Sequence, residues 1–219
     1  MDKAVYSLVL SESVIAKVDQ LAYSMGTSRS NLINQILAEY VGYETPEKRI
    51  QNTLRQVESL LSAAESFRIL QQQSASMMSA SSSLAFKYNP TIKYSVELSR
   101  NGLPEIGELR VSLRTQSSTL LGYMMQFYGL WIRAELSCRP NCEYLTDGGR
   151  MLVRKLRLNS RVDPHTLDSA ALARMISDYI AAFDSAMKVY FYYVANPDRA
   201  AAEVEREYLS YYRRSGGVV

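Results

Sequence analysis

The chain has 219 residues, of which 47% are apolar and 21% charged, and a formal net charge of +3. That is enough apolar material for a sizeable core in one or two domains, which excludes a low-complexity tail. So slight a net charge neither demands nor excludes a nucleic-acid partner, and the distribution of charge has to decide. Residues 1–45 carry Lys3, Lys17 and Arg29 against Asp2, Glu12, Asp19, Glu39 and Glu44, a net −2. Residues 115–161 hold seven basic side chains against Glu135, Glu143 and Asp147, a net +4.

The first element predicted is a strand over Lys3 to Leu10, KAVYSLVL. Alternation places Tyr6, Leu8 and Leu10 on one face and Val5, Ser7 and Val9 on the other. Ser11 or Ser13 can cap a helix whose apolar positions Val14, Ile15, Val18, Leu21, Ala22 and Met25 follow helical spacing. Gly26 suits the left-handed residue that closes it. Thr27 or Ser28 caps the next helix, where Leu32, Ile33, Ile36, Leu37, Tyr40 and Val41 form a stripe ending near Gly42. One short strand and two short helices cannot hide both stripes alone, so a second copy should complete the unit by antiparallel strand pairing.

Strand, helix, glycine and then MGTSRSNLI at the second helix start resemble the ribbon-helix-helix family of DNA-binding proteins, over about residues 3–43. The resemblance implies an intertwined dimer whose paired strands enter the major groove, with outward strand side chains on base edges. Carried over to this sequence, the base-reading face is Val5, Ser7 and Val9. The first turn of the second helix would hold a phosphate through Ser28, Arg29 and Ser30, where free backbone N–H groups and the helix dipole favour an anion. Val5 and Val9 can offer only apolar contact, for instance to thymine methyls, so base specificity through this face should be modest. The double-stranded DNA partner, the homodimer or higher homo-oligomer and the role of transcriptional repressor are what the family implies. Rival roles for the same unit are a plasmid partition or relaxosome accessory protein and an antitoxin-like interaction module.

After Gly42, Thr45-Pro46 makes a helix start, and Ile50, Leu54, Val57, Leu61 and Ala64 repeat at helical spacing, with Leu60, Phe67 and Leu70 broadening the stripe. This helix either extends the dimer as a coiled coil or packs against the rest of the chain. Gln71 to Ser83, QQQSASMMSASSS, reads as a flexible linker or a polar continuation of the helix. The domain division expected is therefore 1–45, then 46–83 as helix and linker, then 84–219.

Ile92, Tyr94, Val96 and Leu98 alternate with polar neighbours, RNGLPEIG supplies turn residues, and Leu109, Val111 and Leu113 alternate again, which predicts a hairpin. A further strand is expected around Leu84 to Tyr88. The uncharged run Thr115 to Ile132 has a polar start and Gln126 at its middle, so a buried helix over Ser117–Leu136 covering the hairpin is expected rather than a membrane span. Residues 150–158 read as a short basic helix or strand, 167–195 as one long helix and 198–213 as a final amphipathic helix. The fold class expected is α+β, mainly α, with a larger, mostly helical C-terminal domain containing a β-hairpin or small antiparallel sheet.

No phosphate loop, nucleophile triad or paired-carboxylate motif is recognisable, and His165 is the sole histidine, so neither an enzyme nor a cofactor is expected. Cys138 and Cys142 lie four apart across a Pro140-Asn141 turn and read as two free thiols, with a disulfide between them the weaker alternative; a zinc site would need two more ligands. With no basic segment leading into an apolar core at the N-terminus, a reducing, cytoplasmic setting is expected. Asp147-Gly148-Gly149 is a turn. Tyr190, Tyr192, Tyr193, Tyr208, Tyr211 and Tyr212 fit core packing better than base stacking. Lys3 and the run Arg150, Arg154, Lys155, Arg157 and Arg161 are candidate additional DNA contacts, able to supply the electrostatic affinity that the acidic N-terminal unit lacks. The C-terminal domain would add dimer contacts or hold an effector or protein partner.

Overall fold

The computed structural model describes residues 7–99, 105–158 and 167–215. The chain divides into two compact units, Met1–Lys48 and Arg49–Val219.

The first unit is a helix pair. α1 (Glu12–Ser24) begins after Ser11 and is closed by Gly26 at φ 59°, where Thr27 N–H reaches back to the Ala22 carbonyl at 3.0 Å. A side chain at that φ would be strained, so the glycine is required by the turn. α2 (Arg29–Tyr40) is capped by Ser28, whose hydroxyl accepts from Asn31 N–H at 3.2 Å. Ala22, Leu32 and Ala38 are buried. The rest of the two expected stripes is not: Val14, Leu21, Met25, Ile36, Leu37, Tyr40 and Val41 are all exposed. Of the expected strand 3–10, residues 1–6 lie outside the described residues, and Ser7 to Leu10 form no regular element, so the first element described is a helix.

α3 (Pro46–Ala63) opens at Thr45, whose hydroxyl accepts from Lys48 N–H. From Ile50 onward its stripe of Ile50, Leu54, Val57 and Leu61 is buried in the larger unit's core, which is the packing role and not that of a coiled coil. The helix stops before Phe67 and Leu70, which were expected to broaden it. Phe67 is instead a core residue set edge-on to Tyr94, with ring centres 5.8 Å apart.

The segment expected as linker or helix continuation is neither. It forms most of the hairpin of β1 (Arg68–Ser74) and β2 (Met77–Ser83), turning at Ala75-Ser76. Its small side chains let β2 lie buried, with Met78 and Ala80 in the core and Ser79 hydrogen-bonded to Ser95 at 3.0 Å. A serine hydroxyl can sit inside a sheet once it finds such a partner. β3 (Thr91–Leu98) and β4 (Glu105–Leu113) are the expected hairpin; Arg100 to Pro104 of its turn fall outside the described residues. Leu84 to Tyr88 are not a strand but part of the connection between β2 and β3. β5 (Tyr144–Asp147) and β6 (Met151–Arg157) form a further hairpin around the Gly148-Gly149 turn, which resolves 150–158 as a strand. All pairings are antiparallel, in the order β1-β2-β3-β4-β6-β5. The sheet is thus larger than the hairpin or small sheet expected, and the fold is α+β.

α4 (Ser118–Cys138), α5 (Ser169–Tyr192) and α6 (Pro197–Ser215) match the three expected helices closely. Asp168 and Ser117 cap α5 and α4 through Ala171 and Leu120 N–H. α5 meets the inner sheet face where Phe183 stacks edge-on to Tyr94 and Tyr94 donates to Asp184 at 2.9 Å. α6 packs on both neighbours through Tyr208 on Trp131 and Tyr211 on Tyr179. Tyr190, Tyr208 and Tyr211 are buried, consistent with packing, while Tyr192 is exposed. No described helix is long and apolar enough to cross a membrane.

Candidate nucleic-acid interface

The sequence places its first candidate site at the start of α2. Ser28 is spent on capping: its hydroxyl serves Asn31 N–H, so it caps rather than donates outward. The preceding N–H groups, those of Arg29 and Ser30, belong to the first helical turn and have no acceptor four residues back. They sit at the positive end of the α2 dipole, where an anion is favoured. Arg29 itself is engaged. Its guanidinium makes a bidentate pair with Asp19 of α1, with Nη2 to Oδ2 at 2.5 Å. Both partners are about half exposed, so the pair contributes little stability while offsetting the charge a phosphate would meet. On the expected base-reading face, Ser7 and Val9 are exposed, whereas Val5 lies outside the described residues, as does Lys3, the candidate additional contact.

The second candidate, the basic run of β6, separates into unlike parts. Arg154 is fully buried and is not a DNA contact. It points from β6 into the core, where its Nη2 and Nε donate to Glu135 Oε1 at 2.6 and 3.1 Å. Glu135 Oε2 accepts from Tyr179 at 2.7 Å and from Tyr144, and Tyr179 in turn accepts from the Trp131 indole at 2.8 Å. The Arg154 guanidinium also lies 4.4 Å from the Tyr179 ring centre. Burial and then the adjacent Glu135 charge push the Tyr179 hydroxyl well above the usual tyrosine range.

The remaining cations of the run are surface groups. Lys155 meets Glu108 and Glu105, and Arg157 meets Glu105 and Glu143. Their alternation with Arg154 explains the difference, because residues two apart in a strand share a face and the one between takes the other. Arg150 is exposed and donates to the Thr115 carbonyl. Arg161 lies outside the described residues. The run therefore is not one continuous phosphate-binding stripe.

Cys138 and Cys142 are half-buried and form no disulfide. Cys142 lies 3.6 Å from both Glu135 Oε1 and Arg154 Nη2, and burial first, then Glu135, raises its thiol above the ordinary range. Among the described residues no group of histidines, cysteines or carboxylates could hold a metal ion.

Glu135 was not singled out by sequence reasoning, although one signal was present. It is the sole acid between Glu108 and Glu143, on a helix otherwise expected to be buried. A buried carboxylate needs a cation, and Arg154 of β6 supplies it. Comparison with protein-family models, with curated proteins and with solved structures found no match.

Proposed function

We propose that this chain is a sequence-specific DNA-binding regulator, a cytoplasmic transcriptional repressor working as a homodimer through a ribbon-helix-helix N-terminus. The observation that carries this reading is the distribution of exposed apolar side chains. Among the described residues, eighteen large apolar side chains are exposed, and twelve of them lie between Leu8 and Tyr43. A stretch of about a sixth of the chain holds two thirds of that surface, and such concentration marks an interaction face. The larger unit, by contrast, buries its apolar residues in one core.

A second copy suits this face because residues 3–10, were they to form the expected strand, would need a partner edge, which an identical strand would supply about a two-fold axis. Each large apolar side chain then fully covered contributes about 1.5–3 kcal/mol. The paired strands would present Ser7 and Val9 outward, and the start of each α2 would hold a phosphate on its Arg29 and Ser30 N–H groups. Asp19 would have to share Arg29 with that phosphate, which makes the contact weaker than an unpaired arginine could provide.

The test uses the full chain. Sedimentation should give a dimer, and Ile36→Asp should dissociate it by placing a charge in the shared core. Genome-wide recovery of bound DNA should yield a few promoters. A stable monomer of the native chain, or the absence of any preferred DNA site, would overturn the proposal. Recovery of a single transfer origin would replace repression by the relaxosome role.

A further inference from the structure

The six-stranded sheet has two faces with different fates. Its inner face holds Tyr94, Val96, Val111, Leu152 and Arg154 in the core. The outer face forms a groove of about 960 Å³, within the size range of ligand sites. Register fixes what lines it. Across the strands run two rows on this face, Arg68–Ser81–Lys93–Ser112–Met151 and Leu70–Ser79–Ser95–Arg110–Val153, of which all but Arg68 and the buried Ser79 and Val153 line the groove. The serines are short, so they make a trough from which Lys93 and Arg110 rise, with Arg114 just beyond the end of β4.

Charge is graded along this trough. The row of Lys93 contains no acid, and Lys93 and Arg114 form no ion pair with any described carboxylate. The acids Glu97 and Glu108 sit together at the opposite end, where Glu108 is held by Arg110 at 3.0 Å and Lys155 at 3.3 Å. At the basic end stands Tyr88. It is 90% exposed and has φ 67°, beside Asn89 at φ 42°. A tyrosine in left-handed backbone is costly, and strain of this kind gathers at functional sites. The exposed ring gains little packing from its position, and Lys87 Nζ lies 5.3 Å from its centre.

We infer that this outer sheet face binds single-stranded nucleic acid, with Lys93 and Arg114 on backbone phosphates, the partly exposed hydroxyls of Ser95 and Ser112 as hydrogen-bond partners and Tyr88 as the platform for one base. Basic side chains along a groove beside an exposed aromatic ring are the two parts such binding requires. A duplex offers no free base face to Tyr88, so single strands are favoured over double strands at this site. The site lies wholly in the larger unit and does not rest on the N-terminal reading.

The experiment measures anisotropy of a fluorescein-labelled oligothymidylate, and of a duplex of equal length, with the full chain at several salt concentrations. Lys93→Gln with Arg114→Gln should weaken single-strand binding at least tenfold and lower the salt slope by about 1.4, since each phosphate contact on a single strand contributes about 0.7. Tyr88→Ala should weaken it about fivefold or more with the slope unchanged, and Tyr88→Phe should restore it. These side chains are at the surface, and the fluorescence of buried Trp131 checks that the unit stays folded. Arg29→Ala should leave single-strand binding intact, so failure of this site and failure of the N-terminal one are separable. Absent single-strand binding, binding indifferent to these substitutions, or equally potent competition by polyglutamate that survives Tyr88→Ala would overturn the inference.

Discussion

Replacing Glu135 by Gln leaves the volume of the side chain almost unchanged and removes one charge, which isolates the electrostatics of the buried pair. Both Glu135 and Arg154 are fully buried, and one carboxylate accepts from Arg154 twice, from Tyr179 and from Tyr144. An amide in its place leaves the guanidinium charge uncompensated and turns one acceptor into a donor facing other donors. Breaking a buried ion pair from one side costs about 3–5 kcal/mol, because the surviving charge stays desolvated. For a chain of this size each kcal/mol lowers the melting temperature by about 2–4 °C, so the variant should melt about 6–20 °C lower. Trp131 is the single tryptophan, fully buried and bonded to Tyr179, so its fluorescence reports unfolding of this unit. A second variant carrying Glu135→Leu and Arg154→Leu removes both charges. It should be less destabilised than the sum of its two single replacements by more than about 2 kcal/mol. A drop of under about 3 °C for Glu135→Gln, or additivity in the double variant, would refute the reasoning.

Gly149→Ala should destabilise by about 1 kcal/mol or more in urea melts, because φ is 80° there and a Cβ would stand 2.2 Å from the Leu121 carbonyl oxygen. Gly129→Ala, on an exposed position of α4 with nothing within 4 Å of the added carbon, should instead stabilise by about 0.5–1 kcal/mol. The hydroxyls of Tyr94 and Tyr179 are raised by burial, and by Asp184 and Glu135 respectively, above their unfolded values. Their contribution to stability is therefore complete below about pH 10 and lost as pH climbs beyond it, so urea midpoints should hold at pH 8–9.5 and fall above about 10, less steeply in Tyr94→Phe. On duplex DNA, Arg29→Ala should lower affinity for specific and random sequences by similar factors. Ser7→Ala should cost about 1 kcal/mol of discrimination between them, both read in binding assays at one fixed salt concentration.

Elements governed by neighbours a few residues apart were legible from the chain alone. Ser28 caps α2 as one of the two residues expected to, and apolar spacing placed the bounds of α2, α4, α5 and α6 within a few residues, whereas α3 ends at Ala63, short of Phe67 and Leu70. Capping and helical periodicity are local, so their physics is complete within the segment. The same holds for β3 and β4, whose alternation is unambiguous, and for the Gly148-Gly149 turn, where both φ angles are positive.

Tertiary structure decided the rest because the deciding partners are distant in sequence. QQQSASMMSASSS has no periodic apolar signal, and it becomes two strands only because β3 offers an edge and the core takes in Met78 and Ala80 of β2. β4 pairs with β6 across the whole of α4, a closure that no local pattern announces. The basic run of β6 reads as uniform in sequence, yet one strand face meets water and the other the core. Arg154 became a structural cation because Glu135, nineteen residues earlier on α4, was there to receive it. Strand alternation could have said that Arg154 faces away from Lys155 and Arg157; which of the two faces was buried depended on the helices that packed against it.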